Sequence, residues 1–109
     1  MAIYITQGKY TSEAVRGLVA KPEDRTDELR KLAEAAGGKL LAFYYTLGEY
    51  DFLSITEHDD QAGLASLLAA AASGTVSDLK TTTAVSGPEM VKILTKAGAL
   101  AKKFRPAGK

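Results

Sequence analysis

The order of the segments that favour strands and helices constrains the fold of this chain more than any other feature. Alternating apolar residues predict strands at residues 3–7, 40–47, 51–57 and 76–85. Apolar residues at helical spacing lie between the first and second strands and between the third and fourth. This strand–helix–strand–strand–helix–strand order is that of the split βαβ, or ferredoxin-like, fold. We therefore predict an α+β domain whose four-stranded antiparallel sheet carries its helices on one face.

Residues that begin helices support this order. Thr11 or Ser12, and later Asp59 or Asp60, place a side-chain oxygen where it can accept a hydrogen bond from the first turn of a helix. Pro22 is typical of a first turn, because the N–H that it lacks would have no partner there. We predict helices after the first and third strands, with a second helical stretch that begins at Pro22.

A further helix is predicted after the fourth strand, over residues 89–104. Ser86 and Glu89 form a capping box in front of it. Its apolar residues recur at helical spacing, and they are Met90, Ile93, Leu94, Ala97, Leu100 and Phe104. We treat residues 1–86 as the core, and residues 87–109 as an amphipathic helix and basic tail of the same domain.

The composition excludes several classes of chemistry. The chain of 109 residues has the size of one domain and contains no Cys and a single His. Without Cys there is no disulfide, no thiolate nucleophile and no Cys-based zinc or iron–sulfur site. No phosphate-binding loop, dinucleotide-binding fingerprint or Ser nucleophile motif is present. We therefore expect neither a metal nor a cofactor.

Nothing in the sequence predicts contact with a membrane. No apolar run approaches the ~20 residues needed to cross a bilayer. The N-terminal stretch alternates like a strand and lacks the basic and apolar regions of a signal peptide. We expect a cytoplasmic protein.

The charges are unevenly distributed along the chain. From Glu89 onward the net charge is +5, whereas the 88 preceding residues carry −4. Lys92, Lys96 and Lys103 lie at helical spacing, but this segment lacks the interleaved Arg and aromatic residues typical of nucleic-acid binding. We expect no nucleic-acid partner. Docking of the basic tail on an acidic neighbouring subunit is another use of the same charges.

Each predicted strand offers one strongly apolar set of side chains and one mixed set, because successive residues point to opposite faces of a sheet. The mixed set carries Tyr4, Tyr44 and Phe52, and it is too apolar for solvent and too polar for a dry core. We predict that the helices leave this mixed face uncovered and that a second copy of the chain covers it. A monomer with an exposed sheet face is the alternative.

Hydroxyl groups on these strands and in the turn between them are the candidate ligand-binding groups. They belong to Tyr44, Tyr45, Tyr50, Thr81 and Thr83. Apolar walls with a few polar groups that orient the ligand are typical of small-molecule sites. Hydroxyl pairs across strands are equally compatible with ordinary sheet structure.

Three titratable residues are candidates for catalysis by proton transfer. Glu49 and Asp51 flank Tyr50, and two neighbouring carboxylates can act as acid and base because proximity raises the pKa of one of them. The interpretation that we favour is a tight turn at Gly48 in which Asp51 accepts backbone hydrogen bonds. His58 lies at the junction of the third strand and the next helix, where we favour a structural role.

Three segments of the chain resemble the GYD domain family of small bacterial proteins: YITQGKYT, GGKLLAFYYTLGEYDFLSI and KTTTAVS. The motif that names the family corresponds to Gly48, Tyr50 and Asp51. The resemblance covers residues 2–86 and implies a ferredoxin-like domain of the dimeric α/β barrel type, with no implied activity. Two features depart from the family pattern, namely His58, in place of a proline or small residue, and the last helix.

Together these observations favour a homo-oligomeric module that binds a small organic ligand in a semi-polar pocket at the sheet face. Two alternatives stay open. One is a structural or protein-interaction module without a ligand, and the other is a cofactor-free enzyme that transfers protons on a small organic substrate. A cavity reached by the hydroxyl groups would favour ligand binding, and a filled interface would favour interaction.

Overall fold

The computed structural model describes residues 1–109 and confirms the predicted order of strands and helices. The four strands form one antiparallel sheet in the order β2-β3-β1-β4, which is the ferredoxin-like topology. The elements are β1 Ala2–Tyr10, α1 Ser12–Ala20, α2 Thr26–Ala35, β2 Lys39–Tyr45, β3 Phe52–His58, α3 Asp60–Ala72, β4 Val76–Ala84 and α4 Gly87–Ala101.

Three of the helices begin where capping side chains predict. Thr11 Oγ1 accepts a hydrogen bond from Ala14 N at 3.2 Å in front of α1, and Asp59 Oδ1 accepts one from Ala62 N at 2.8 Å in front of α3. Ser86 Oγ accepts one in the first turn of α4. Each bond satisfies an N–H that has no partner inside the helix, so local sequence fixes these helix starts.

The second helix begins four residues later than predicted. Pro22 lies in an extended connection, and α2 starts at Thr26. The cause is Asp24, whose Oδ1 accepts hydrogen bonds from both the hydroxyl and the backbone N–H of Thr26. These bonds also hold the pKa of the Asp24 carboxyl below its ordinary value. The Asp24 side chain therefore holds a turn in front of α2, and the helix begins after this turn rather than at Pro22.

The helices cover the sheet face that the sequence analysis leaves uncovered. Tyr4, Thr6 and Phe52 face α2 and α3, and Thr6 and Phe52 are buried there. Our assignment of Tyr4 and Phe52 to the uncovered face was therefore wrong. Alternation sorts side chains into two sets, but the hand of the crossover connections decides which set the helices cover.

A β-bulge shifts the alternation in β2. Its pairing with β3 changes register between Leu40 and Ala42. As a result Phe43 lies opposite Ser54 on the helix-covered face, whereas Tyr44 lies on the other face and is 62% exposed. One extra residue thus puts Leu40 and Phe43, which are three positions apart, on the same face, and shifts the alternation so that Tyr44 points to the other face.

The outer face of the sheet, which the helices do not cover, is apolar at its centre. Ile5 lies opposite Ile55 on one side and Thr82 on the other. Ile3 and Leu53 continue the patch along the two central strands, and Ile5 and Ile55 are only half-buried. Only 6 of the 109 residues are buried, so the fully buried core of the chain is small.

Helix α4 extends away from the rest of the chain. Every residue from 85 to 109 is exposed, including Met90, Leu94 and Phe104 of the apolar stripe. The radius of gyration is 17.9 Å, compared with about 13 Å for a compact chain of this length. None of the helices combines the length and apolar character needed to cross a bilayer.

Candidate functional site

A cavity of about 750 Å³ separates the inner face of the sheet from helices α2 and α3. Both layers supply apolar walls, which include Leu29, Leu32, Leu40, Phe43, Leu67 and Leu79. The sheet supplies a floor of hydroxyl groups from Thr6, Ser54, Thr56, Thr81 and Thr83. Apolar walls around a few oriented polar groups are the usual composition of small-molecule sites.

Strand register brings the floor hydroxyls together. Thr6 on β1 lies opposite Ser54 on β3 and opposite Thr81 on β4. The hydroxyls of Thr6 and Thr81 are 3.0 Å apart and hydrogen-bond to each other. Thr6 is buried, whereas Thr81 and Thr83 are exposed on the edge strand, so the cavity opens to solvent on the β4 side.

His58 forms one end of the cavity at the carboxyl end of β3. Its ring is buried and stacks on Tyr4, with ring centroids 4.6 Å apart and an interplanar angle of 15°. Nδ1 lies 3.0 Å from the carbonyl oxygen of Asp59, and Nε2 lies 3.0 Å from Thr56 Oγ1. Both ring nitrogens are therefore engaged within the protein.

Gly63 of α3 makes room for the His58 ring. A Cβ atom built on Gly63 would overlap the Cε1 and Nδ1 atoms of His58 and lie 2.8 Å from Nε2. Helix α3 thus approaches the end of β3 closely only because position 63 has no side chain. The close approach holds the ring between Tyr4 and the helix backbone.

The opposite end of the cavity is formed by Tyr10 and Arg25. The backbone N–H of Arg25 donates to the Tyr45 hydroxyl at 2.9 Å, and the Tyr10 ring packs on Phe52 at 5.1 Å between centroids. Burial, followed by the neighbouring Tyr45, raises the pKa of Tyr10 to about 12. Tyr10 is therefore a neutral phenol at this end of the cavity.

The predicted ligand-binding residues are divided among several places. Thr81 and Thr83 line the cavity. Tyr45 lies at its rim beside Arg25, Tyr44 lies on the outer face, and Tyr50 lies in the turn, where its carbonyl oxygen accepts from the Thr46 hydroxyl at 2.7 Å. The three tyrosines are therefore outside the cavity lining.

The three candidate catalytic residues do not form one cluster. Glu49 is exposed in the turn, and Asp51 Oδ2 accepts a hydrogen bond from Tyr10 N at 2.9 Å, which ties the turn to β1. Of the three, His58 alone lines the cavity. No three His, Cys, Asp or Glu side chains lie close enough together to hold a metal ion.

The sequence pattern of the GYD domain family matches residues 4–94, which is most of the chain. The chain belongs to the GYD domain family. The match extends beyond the core that the motifs indicate and includes the first half of α4. No curated protein matches this GYD domain.

Two solved structures are similar to this GYD domain. FFRP-DM1 is 18% identical with a TM-score of 0.46, and the match covers 78% of this chain and 100% of that chain. TTHA0845 from Thermus thermophilus is 15% identical with a TM-score of 0.49, and the match covers 80% of this chain and 96% of that chain.

Several cavity residues of the GYD domain were missed from sequence. Thr6, Ser54 and Thr56 line the cavity but were not among the predicted ligand-binding residues, and Tyr4 was assigned only to the mixed face. Their spacing could have indicated a shared site, because side chains two residues apart on one strand point to the same face of the sheet, as those of Thr56 and His58 do. The cavity itself depends on the distance between the sheet and helices α2 and α3. The alternation of residue types along a strand does not predict that distance.

Proposed function

We propose that this GYD domain is a homo-oligomeric module that binds a small organic ligand between its sheet and helices α2 and α3. The observation that carries the proposal is the cavity of about 750 Å³ with apolar walls and a hydroxyl floor. A volume of this size is within the usual range for small-molecule sites. We place the proposed site on the inner side of the sheet, where the cavity lies, rather than on the outer face.

The chemistry of the lining supports an organic ligand with a largely apolar body. Leucine and phenylalanine side chains form the walls, so desolvation of an apolar ligand drives binding. The hydroxyl floor offers hydrogen bonds along one side, which orients the ligand. Arg25, the cation at the cavity end, is paired with Glu23 at 2.9 Å, so a strongly charged ligand gains little there.

The oligomeric part of the proposal is supported by the outer face. Ile5 and Ile55 form the centre of an apolar patch that no helix of the same chain covers. Contiguous apolar patches on soluble proteins usually mark interfaces, and burial contributes about 25 cal/mol per Å². A second copy of the chain offers an equally apolar surface, as a two-fold interface requires.

A second candidate function, protein interaction without a ligand, is favoured by α4. Its apolar stripe is exposed along its whole length, with Met90 41% and Leu100 60% exposed. Residues 89–109, which include most of α4 and the tail after it, carry a net charge of +5, and this complements the −4 of residues 1–88. This candidate does not require the cavity to take up any molecule.

A titration with 2-naphthol, in which the NMR chemical shifts of the backbone amides are measured, tests the ligand-binding function. We expect saturable shifts at Thr6, Ser54 and Thr81, because a two-ring probe with one hydroxyl fits the apolar walls and the hydroxyl floor. Ser54→Leu places a larger apolar side chain on the floor and is expected to weaken binding at least about tenfold.

Ser77→Leu is the matched control, because Ser77 is also on a strand but does not line the cavity. It should bind 2-naphthol as the unmodified protein does. Shifts scattered over the outer face and α4, or equal binding by the two leucine variants, would contradict the assignment of the site. The absence of saturable shifts would favour the interaction function.

A further inference from the structure

The hydrogen bonds of His58 define which of its ring nitrogens carries the proton. Nδ1 lies 3.0 Å from the backbone carbonyl oxygen of Asp59. A carbonyl oxygen can only accept a hydrogen bond, so Nδ1 must carry a hydrogen. In a neutral imidazole the other nitrogen, Nε2, is then an acceptor.

The protonation of His58 determines the direction of the neighbouring hydrogen bond. Nε2 lies 3.0 Å from Thr56 Oγ1, and in the neutral ring, where Nε2 accepts, the Thr56 hydroxyl must donate. A hydroxyl group has one hydrogen and two lone pairs. Because the Thr56 hydroxyl donates its hydrogen to His58, Oγ1 can only accept a hydrogen bond from a group in the cavity that Thr56 lines.

The surroundings of the His58 ring keep this arrangement in place. Tyr4 stacks on one side, and the backbone of α3 at Gly63 leaves no room for the ring to shift toward the helix. The residue is 7% exposed, so water does not compete for its ring nitrogens. His58 is thus a positioning residue that acts on the cavity through Thr56.

The other floor hydroxyls have no such fixed direction. Thr6 and Thr81 bond to each other, and either can be the donor. One of the two therefore keeps a hydrogen that it can donate to a ligand, and the pair can adapt to donor or acceptor groups. Thr56 is the position at which the floor discriminates.

We infer that the cavity selects ligands that donate a hydrogen bond to Thr56 Oγ1, such as phenols, alcohols or N–H compounds with an apolar body. The inference rests on the proposed ligand-binding function and specifies its ligand class. An ether of the same shape leaves the Thr56 acceptor unpaired in a desolvated site, which weakens binding.

The protonation of His58 can be measured without a ligand. His58 is the only histidine, so its two ¹⁵N resonances are assigned without ambiguity. At about pH 8, where an imidazole is ordinarily neutral, we expect a protonated Nδ1 and a bare Nε2. A protonated Nε2 would overturn the inference, because Thr56 would then accept from His58.

Ligand selectivity is measured with 2-naphthol and its methyl ether, 2-methoxynaphthalene. We expect the unmodified protein to bind 2-naphthol about fivefold more tightly than the ether, as one hydrogen bond allows. Thr56→Val removes the acceptor and should bring the ratio of the two dissociation constants close to one. Thr56→Ser keeps the hydroxyl and should restore the ratio, which a merely structural role of Thr56 would not predict.

The outcomes separate the two proposals. Equal affinity of the unmodified protein for the two probes overturns the ligand class and leaves the ligand-binding function standing. Persistence of the preference in Thr56→Val also overturns the inference, because another group would then be the acceptor. Failure of both probes to bind overturns the ligand-binding function, and the ligand class with it.

Discussion

Replacement of Ile5 by glutamate is expected to convert the proposed oligomer into monomers. Ile5 lies at the centre of the apolar outer face, between Ile55 and Thr82 on the neighbouring strands. A carboxylate buried there without a partner costs several kcal/mol, and across a two-fold axis it also meets its own copy. We expect the dissociation constant of the oligomer to rise at least about a hundredfold, measured by size-exclusion chromatography with light scattering.

Two variants make the Ile5 result interpretable. Gln61→Glu introduces the same charge at an exposed position of α3 on the other side of the sheet and should leave the mass unchanged. Ile5→Thr keeps a β-branched residue in the strand and should weaken association with the fold retained. A folded Ile5→Glu protein with the mass of the unmodified oligomer would show that the outer face is not the interface.

Alanine at position 63 is expected to destabilise the protein by about 2 kcal/mol. A methyl group at this position overlaps the ring of His58, which then has to leave its hydrogen bonds to Thr56 and Asp59. Overpacking of this kind costs about 1–3 kcal/mol, and the loss of the two hydrogen bonds adds to it. The helix propensity of alanine offsets about 1 kcal/mol. Urea unfolding at fixed protein concentration measures the difference.

A second glycine-to-alanine variant, Gly17→Ala, is the control for the helix propensity of alanine. Gly17 lies in α1, and a Cβ built there meets nothing within 4 Å. Gly17→Ala should therefore stabilise the protein by about 1 kcal/mol. In a His58→Ala background, Gly63→Ala should likewise become neutral or stabilising, because the ring is no longer in the way. Equal stability of the Gly63→Ala and Gly17→Ala proteins would contradict the placement of His58 against α3.

Much of the fold follows from local sequence. Thr11, Asp59 and Ser86 fix helix starts through hydrogen bonds to N–H groups three residues away. Alternating apolar residues predict the strands, and the order of the strands and helices along the chain predicts the sheet topology. The start of α2 was predicted too early because the turn that Asp24 forms with Thr26 lies between Pro22 and the helix.

The side of the sheet that faces the helices could not be predicted from alternation alone. Tyr4 and Phe52 belong to the less apolar set, yet they face α2 and α3. Hydroxyl groups such as Thr6 and Thr81 are tolerated there because they bond to each other and face a cavity rather than a dry core. The more apolar set is left on the outer face, where a partner subunit would bury it.

The candidate site was predicted only in part for a similar reason. Thr81 and Thr83 line the cavity, but Tyr44 is turned outward by the bulge at residues 40–42. The role of His58 depends on Gly63, a residue that sequence analysis did not connect to it. Contacts between separate strands and helices depend on tertiary structure, so the spacing of residues along the chain does not predict them.

Native mass spectrometry of protein purified without added ligand, and again after addition of 2-naphthol, tests ligand binding and assembly in one experiment. We expect an oligomer of 11.5 kDa chains with one small-molecule adduct per chain in at least the second spectrum. An oligomer free of any adduct in both spectra would contradict the ligand-binding function. A monomer would contradict the role of the outer face as an interface between copies of the chain.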